Sequence, residues 1–196
     1  MADGRHYPDR WNEYKKLKNR DPRRYDPKWV VFASRYRVAS SYHSMSFFGL
    51  SNDLKRLYSA LFHLPLALSA LEAACEASDL ALEGITIADR SDDFSEISKN
   101  IRDFYLSVRR NDFVKKSPND DGAMLARIEN CSRDKNSNLI PMAFALRHSL
   151  FGGAWSPVDL RSIRSYVAPS IEELCRLILI KSDRIFEEFL MRERQR

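Results

Sequence analysis

The stretch that most constrains this chain is the run from Leu57 to Ala77, LYSALFHLPLALSALEAACEA. It is apolar almost all the way round a helix, and its dominant residues, Leu and Ala, are strong helix formers. Leu57, Leu61, Leu64, Leu68, Leu71 and Cys75 recur every three to four residues, which is helical spacing. Ala67, Ala70, Ala73 and Ala74 fill the gaps between them and leave room for neighbouring helices to approach. A helix with so little polar surface belongs in the interior of a bundle. Pro65 interrupts the pattern. Either the helix kinks there, or one helix ends near Phe62 and another starts with Pro65 in its first turn. Glu72 is the exception in the run, and a partner for it in a polar network of the bundle is expected.

The rest of the chain supplies companions for that helix. Asp26-Pro27 offers a start for a helix from about Lys28 to Phe48, with Val30, Val31, Ala33, Tyr36, Val38, Ala39 and Tyr42 as its apolar side and Gly49 as its stop. Phe94, Ile97, Ile101, Phe104, Tyr105 and Val108 make a second stripe, opened by Asp92 or Asp93. A short helix is expected over 123–131, and a compact apolar one over IPMAFALRHSLF, opened by Pro141. The last begins near Pro169-Ser170, where Ser170 and Glu173 have the spacing of a capping box. Its buried side is Ile171, Leu174, Leu177, Ile178, Ile185, Phe186, Phe189 and Leu190. No strand pattern of any length competes, so an all-α bundle of five to six helices is expected.

The 196 residues suit one domain with an appendage, divided here as an arm, 1–28, and a helical domain, 29–196. The polar N-terminus has no secretory h-region, and no apolar run has the length of a charge-free membrane span, so a cytoplasmic protein with no membrane partner is expected. Cys75, Cys131 and Cys175 are odd in number and far apart, which fits free thiols in a reducing compartment. No CxxC pair, HExxH, Walker loop or GxGxxG is present, so neither a metal nor a cofactor is expected.

The net charge of +5 is unevenly placed. Residues 1–28 hold nine Lys/Arg against five Asp/Glu, and the remainder is nearly neutral. Trp11, Tyr14 and Tyr25 alternate with Lys15, Lys16, Lys18, Arg20, Arg23 and Arg24. Cations follow phosphates and rings stack on bases, so the pattern suits a nucleic-acid strand. It also suits an arm wrapped over its own domain with the rings as anchors, and no compact nucleic-acid motif supports the first reading over this one. The segment has almost no aliphatic residues, and it is expected to be poorly structured by itself.

One further stretch, AFALRHSLFGGAW at 143–155, resembles the signature of the HEPN superfamily (higher eukaryotes and prokaryotes nucleotide-binding). Members are all-α bundles, and many are metal-independent endoribonucleases. Their motif is an Arg, four to six residues, then a His at a helix end. Arg147 matches the Arg and Gly153 the closing Gly, but Gly152, Gly153 and Ala154 stand where the His belongs. The Ala/Leu-rich helix with Glu72 and the closing segment Ile171 to Leu190 are also similar to family helices.

The resemblance implies a homodimer in which two motif sites meet. It also implies an RNA or protein partner, and a defence or toxin–antitoxin setting. Metal-free RNA cleavage needs a group that titrates near neutrality, and arginine does not. Arg147, with His148 as a substitute base, is therefore the candidate catalytic pair, and a non-catalytic RNA-binding or partner-binding subunit is the leading expectation. The alternatives are an active endoribonuclease and a structural adaptor that grips another protein through its arm.

Overall fold

The computed structural model describes residues 6–22, 26–87, 92–110, 138–151 and 166–195. Six α-helices follow one another among them: α1 (Trp11–Arg20), α2 (Pro27–Ser41), α3 (Asn52–Ala77), α4 (Asp92–Arg110), α5 (Ile140–Phe151) and α6 (Val167–Gln195). A 3-10 turn, Leu82–Gly84, follows α3, and there is no strand among the described residues. The protein is an all-α helical bundle, as the periodicity requires. The helix expected at 123–131 lies outside the described residues, as does Cys131.

The apolar run is one continuous helix. Pro65 lies inside α3, where it supplies no N–H to the carbonyl one turn back. Leu57, Leu61, Leu64, Leu68, Leu71 and Cys75 are all buried, together with the four alanines between them. By length and composition α3 is the one described helix that can cross a membrane, and most of that window is buried inside the protein. Glu72 is half-buried.

The chain forms two compact units, divided within α3 after Pro65 and within α6 after Cys175. The first comprises Met1–Tyr42, Leu66–Ile85 and Arg176–Arg196. Its core is aromatic: Trp29 lies 4.5 Å from Phe189 and 5.1 Å from Phe186, and Phe32 lies 5.6 Å from Phe186, centre to centre. α2 starts as its sequence dictates. The Asp26 carboxylate accepts from the Lys28 N–H at 2.8 Å, and Pro27 occupies the first turn.

Two expectations about α2 are corrected. The helix ends at Ser41, eight residues short of Gly49, and Gly49 takes its positive φ in the following loop. Its inward face is Trp29, Phe32, Ala33 and Ala39, while Val30, Val31 and Val38 are exposed. α2 is apolar on too many sides for spacing to select a face, and the large rings bury more surface than the valines do.

The second unit comprises His43–Pro65 and Thr86–Cys175. α4 and α5 pack against each other in it, with Ile101 and Phe104 from one and Met142, Ala143 and Leu146 from the other buried. The Asn138 carboxamide oxygen accepts from the N–H groups of both Ile87 and Ile140, which fixes the entry to α5. Ser170 is not an N-cap. α6 already begins at Val167, so Ser170 lies within its first turns and donates its hydroxyl to the Tyr166 carbonyl. It accepts from the Asn100 amide at 3.0 Å.

Candidate functional site

The N-terminal segment departs furthest from its expected form. Trp11–Arg20 is helical rather than poorly structured, and the described part of 1–28 belongs to the first unit instead of standing apart. Trp11 and Tyr14, three residues apart, share one face of α1 and are only 8% and 2% exposed. They lie 5.8 and 6.0 Å from Phe186, and Tyr14 lies 6.3 Å from Phe189. The Tyr14 hydroxyl donates to the Asp26 carbonyl at 2.9 Å and accepts from the Asp26 N–H at 3.2 Å. These two rings are therefore anchors and offer no face to a base. Burying each contributes about 1.5–3 kcal/mol, which the segment's polar composition conceals.

α1 also carries four cations. Lys15, Lys16, Lys18 and Arg20 are all exposed. Glu13 is the sole acid of the helix, and it already accepts from Arg10 at 3.0 Å and from Arg194. The hydrogen bond from Arg10 holds its carboxyl below the usual glutamate range. Arg23 and Arg24 lie outside the described residues.

Two further residues, Tyr7 and Arg37, complete this surface. Tyr7 stacks on Trp11 with its plane tilted by only 3° at 6.0 Å, half-buried ahead of α1. The Arg37 guanidinium, on α2, donates to the Tyr7 hydroxyl at 3.0 Å and lies 5.3 Å from the ring centre. The Lys15 ammonium lies 5.6 Å from the same centre. A cation from each of two helices thus meets one aromatic ring, within cation–π reach. The only signal in the sequence was the aromatic-basic alternation itself. It extends back to Tyr7, but it cannot reveal Arg37, thirty residues away.

Arg147 lies just before the last turn of α5, and His148 lies in it. The Arg147 guanidinium lies 4.5 Å over the Phe144 ring, one turn back, and His148 is exposed. Adjacent helical residues point about 100° apart, so the helix does not bring the two onto one face. Gly152, Gly153 and Ala154, where the motif histidine belongs, lie outside the described residues.

Elsewhere, Arg56 donates to both carboxylate oxygens of Glu172, at 2.8 and 2.6 Å, a fork-to-fork pair that ties α3 to α6. Among the described residues no cluster of His, Cys, Asp or Glu has the grouping to hold a metal. Cys75 and Cys175 are free and buried, and burial pushes both thiols up, Cys75 to about 11.

No family model matches this chain, and neither a curated protein nor a solved structure matches it.

Proposed function

We propose that this chain is a non-catalytic, HEPN-like RNA-binding regulatory protein whose strand-binding surface is the outer face of α1 with Tyr7 and Arg37. The observation that carries the reading is that α1 is docked through its rings while its cations remain exposed. Trp11 and Tyr14 pin it to the first unit, while Lys15, Lys16, Lys18 and Arg20 are exposed and Glu13, the one acid of the helix, accepts from Arg10 and Arg194. A rigid basic ridge attracts a phosphate backbone with less ordering cost than a loose arm. Tyr7 is half-buried on Trp11, and a base would stack on it by displacing the Arg37 and Lys15 cations from the ring toward the flanking phosphates. A ribonuclease needs a proton-transfer group beside Arg147, and His148 leaves the helix in another direction. Homodimerisation and a protein partner belong to the same proposal. A wholly exposed aromatic favours the partner: Phe48 stands in solvent on a loop anchored by Phe47 against Tyr58, 5.3 Å between rings.

The test is binding of a fluorescent single-stranded RNA by the full chain across a salt series in EDTA. Replacing Lys15, Lys16 and Lys18 with Gln is expected to weaken binding and to shallow the salt slope by about 0.7 per lost phosphate contact. The RNA should remain uncut. An affinity and slope unchanged by the triple substitution refute the α1 surface. Cutting that is lost in Arg147→Ala refutes the non-catalytic reading.

A further inference from the structure

We propose that residues 6–10 are a strap whose docking onto α2 and α6 is gated by the ionisation of Asp183, the strap closing when that carboxyl is neutral and loosening when it is charged. The strap is held at four points. The Ser40 hydroxyl donates to the His6 carbonyl at 2.7 Å, and Arg37 holds the Tyr7 hydroxyl. Tyr7 stacks on Trp11, and the Asp9 N–H donates to Asp183 Oδ1 at 3.0 Å. Three of these joints involve neutral groups or a solvated cation. The fourth is made to an acid of α6 that is only 9% exposed.

The surroundings of that acid are hostile to charge. The Asp9 carboxylate faces it from the strap, Glu187 lies one turn further along α6, and Tyr36 faces it from α2. The neighbouring Ser182 hydroxyl is turned to the Ile178 carbonyl. The Asp9 N–H favours the ionised form. Burial first, and then the two acids, push Asp183 up to about 7. The Tyr36 hydroxyl is raised by burial and by the same pair, Asp183 and Asp9, which places all three groups in one electrostatic neighbourhood.

Lifting the strap removes Asp9 and admits water, so the carboxyl of the open form returns toward the ordinary aspartate value of about 3.9. The closed form therefore binds the proton more tightly. Its advantage is complete below about pH 4 and is lost as pH rises through 7. From pH 6 to pH 8 the opening constant rises by up to about tenfold. Because Tyr7 rides on the strap, mild alkalinity withdraws the one stacking ring from the basic face. This last consequence rests on the RNA-binding reading, whereas the strap itself does not.

Amide hydrogen exchange of the full chain tests it, with rates corrected for intrinsic pH dependence. Protection of the Asp9 and Trp11 N–H groups is expected to fall by three- to tenfold between pH 6 and pH 8, while amides of α3 stay level. Asp183→Asn keeps an oxygen acceptor for Asp9 and carries no charge, so its protection should be flat. Asp9→Asn removes one repelling acid and should move the midpoint to lower pH. Flat protection in the wild type, or an undiminished slope in Asp183→Asn, overturns the gate. Titrating RNA affinity over the same range separates the two proposals. If exchange titrates while RNA affinity does not follow, the gate stands and the RNA surface falls.

Discussion

Tyr14→Phe removes a single oxygen and tests whether α1 is built into the first unit. That hydroxyl both donates to and accepts from the backbone of Asp26, the N-cap of α2. The ring stays, so packing against Phe186 is retained. The Asp26 carbonyl keeps the Trp29 N–H at 3.2 Å, but the Asp26 N–H loses its phenolic partner. Two hydrogen bonds are lost and one donor is left half-buried, which together cost about 1.5–2.5 kcal/mol. For a protein of this size, that lowers the melting temperature by about 4–8 °C. Urea unfolding followed by far-ultraviolet circular dichroism measures the change directly. Tyr7→Phe is the control, because its hydroxyl bonds only the exposed Arg37, and it should change stability by less than about 0.5 kcal/mol. If Tyr14→Phe is as silent as Tyr7→Phe, α1 is not docked through Tyr14 in solution, and the anchored-ridge argument fails with it.

Three further outcomes are expected. Leu68→Asp places an unpaired charge at a fully buried position of α3 and should leave no cooperative unfolding transition, so a native-like melt would show that α3 is not central. Arg56→Ala and Glu172→Ala, combined in a double-mutant cycle, should couple by about 0.5–1 kcal/mol at low salt and less at high salt; a coupling of zero would make the forked pair incidental. Cys75 and Cys175 should resist a thiol reagent at pH 7.5 until urea unfolds the chain, because burial raises both thiols; rapid labelling of the folded protein would contradict their burial.

By itself the sequence determined that α2 to α6 are helices, though not α1, and, where apolar residues recur on one side only, which side is buried. Leu57 through Cys75 in α3 are buried as their spacing demands, as are Ile171, Leu174, Ile178, Ile185, Phe186 and Leu190 in α6, while Leu177 and Phe189 are half-buried. The start of α2 is equally local, since Asp26 bonds an N–H two residues away. Where apolar residues surround a helix, as in α2, periodicity has no direction to report, and the competition between Trp29 with Phe32 and the valines is decided by what lies opposite. The tertiary structure also decided what the N-terminal cations and rings do. Composition shows Trp11 and Tyr14 among lysines, but only the presence of Phe186 and Phe189 turns those two rings inward and leaves the lysines outside. The meeting of Lys15 and Arg37 at Tyr7, and of Asp9 with Asp183 across 174 positions, has no local signature. Helical spacing encodes contacts within about one turn along the chain. Contacts between helices depend on which faces close over each other, and that is fixed only when the rings and the buried carboxylate have found their surroundings.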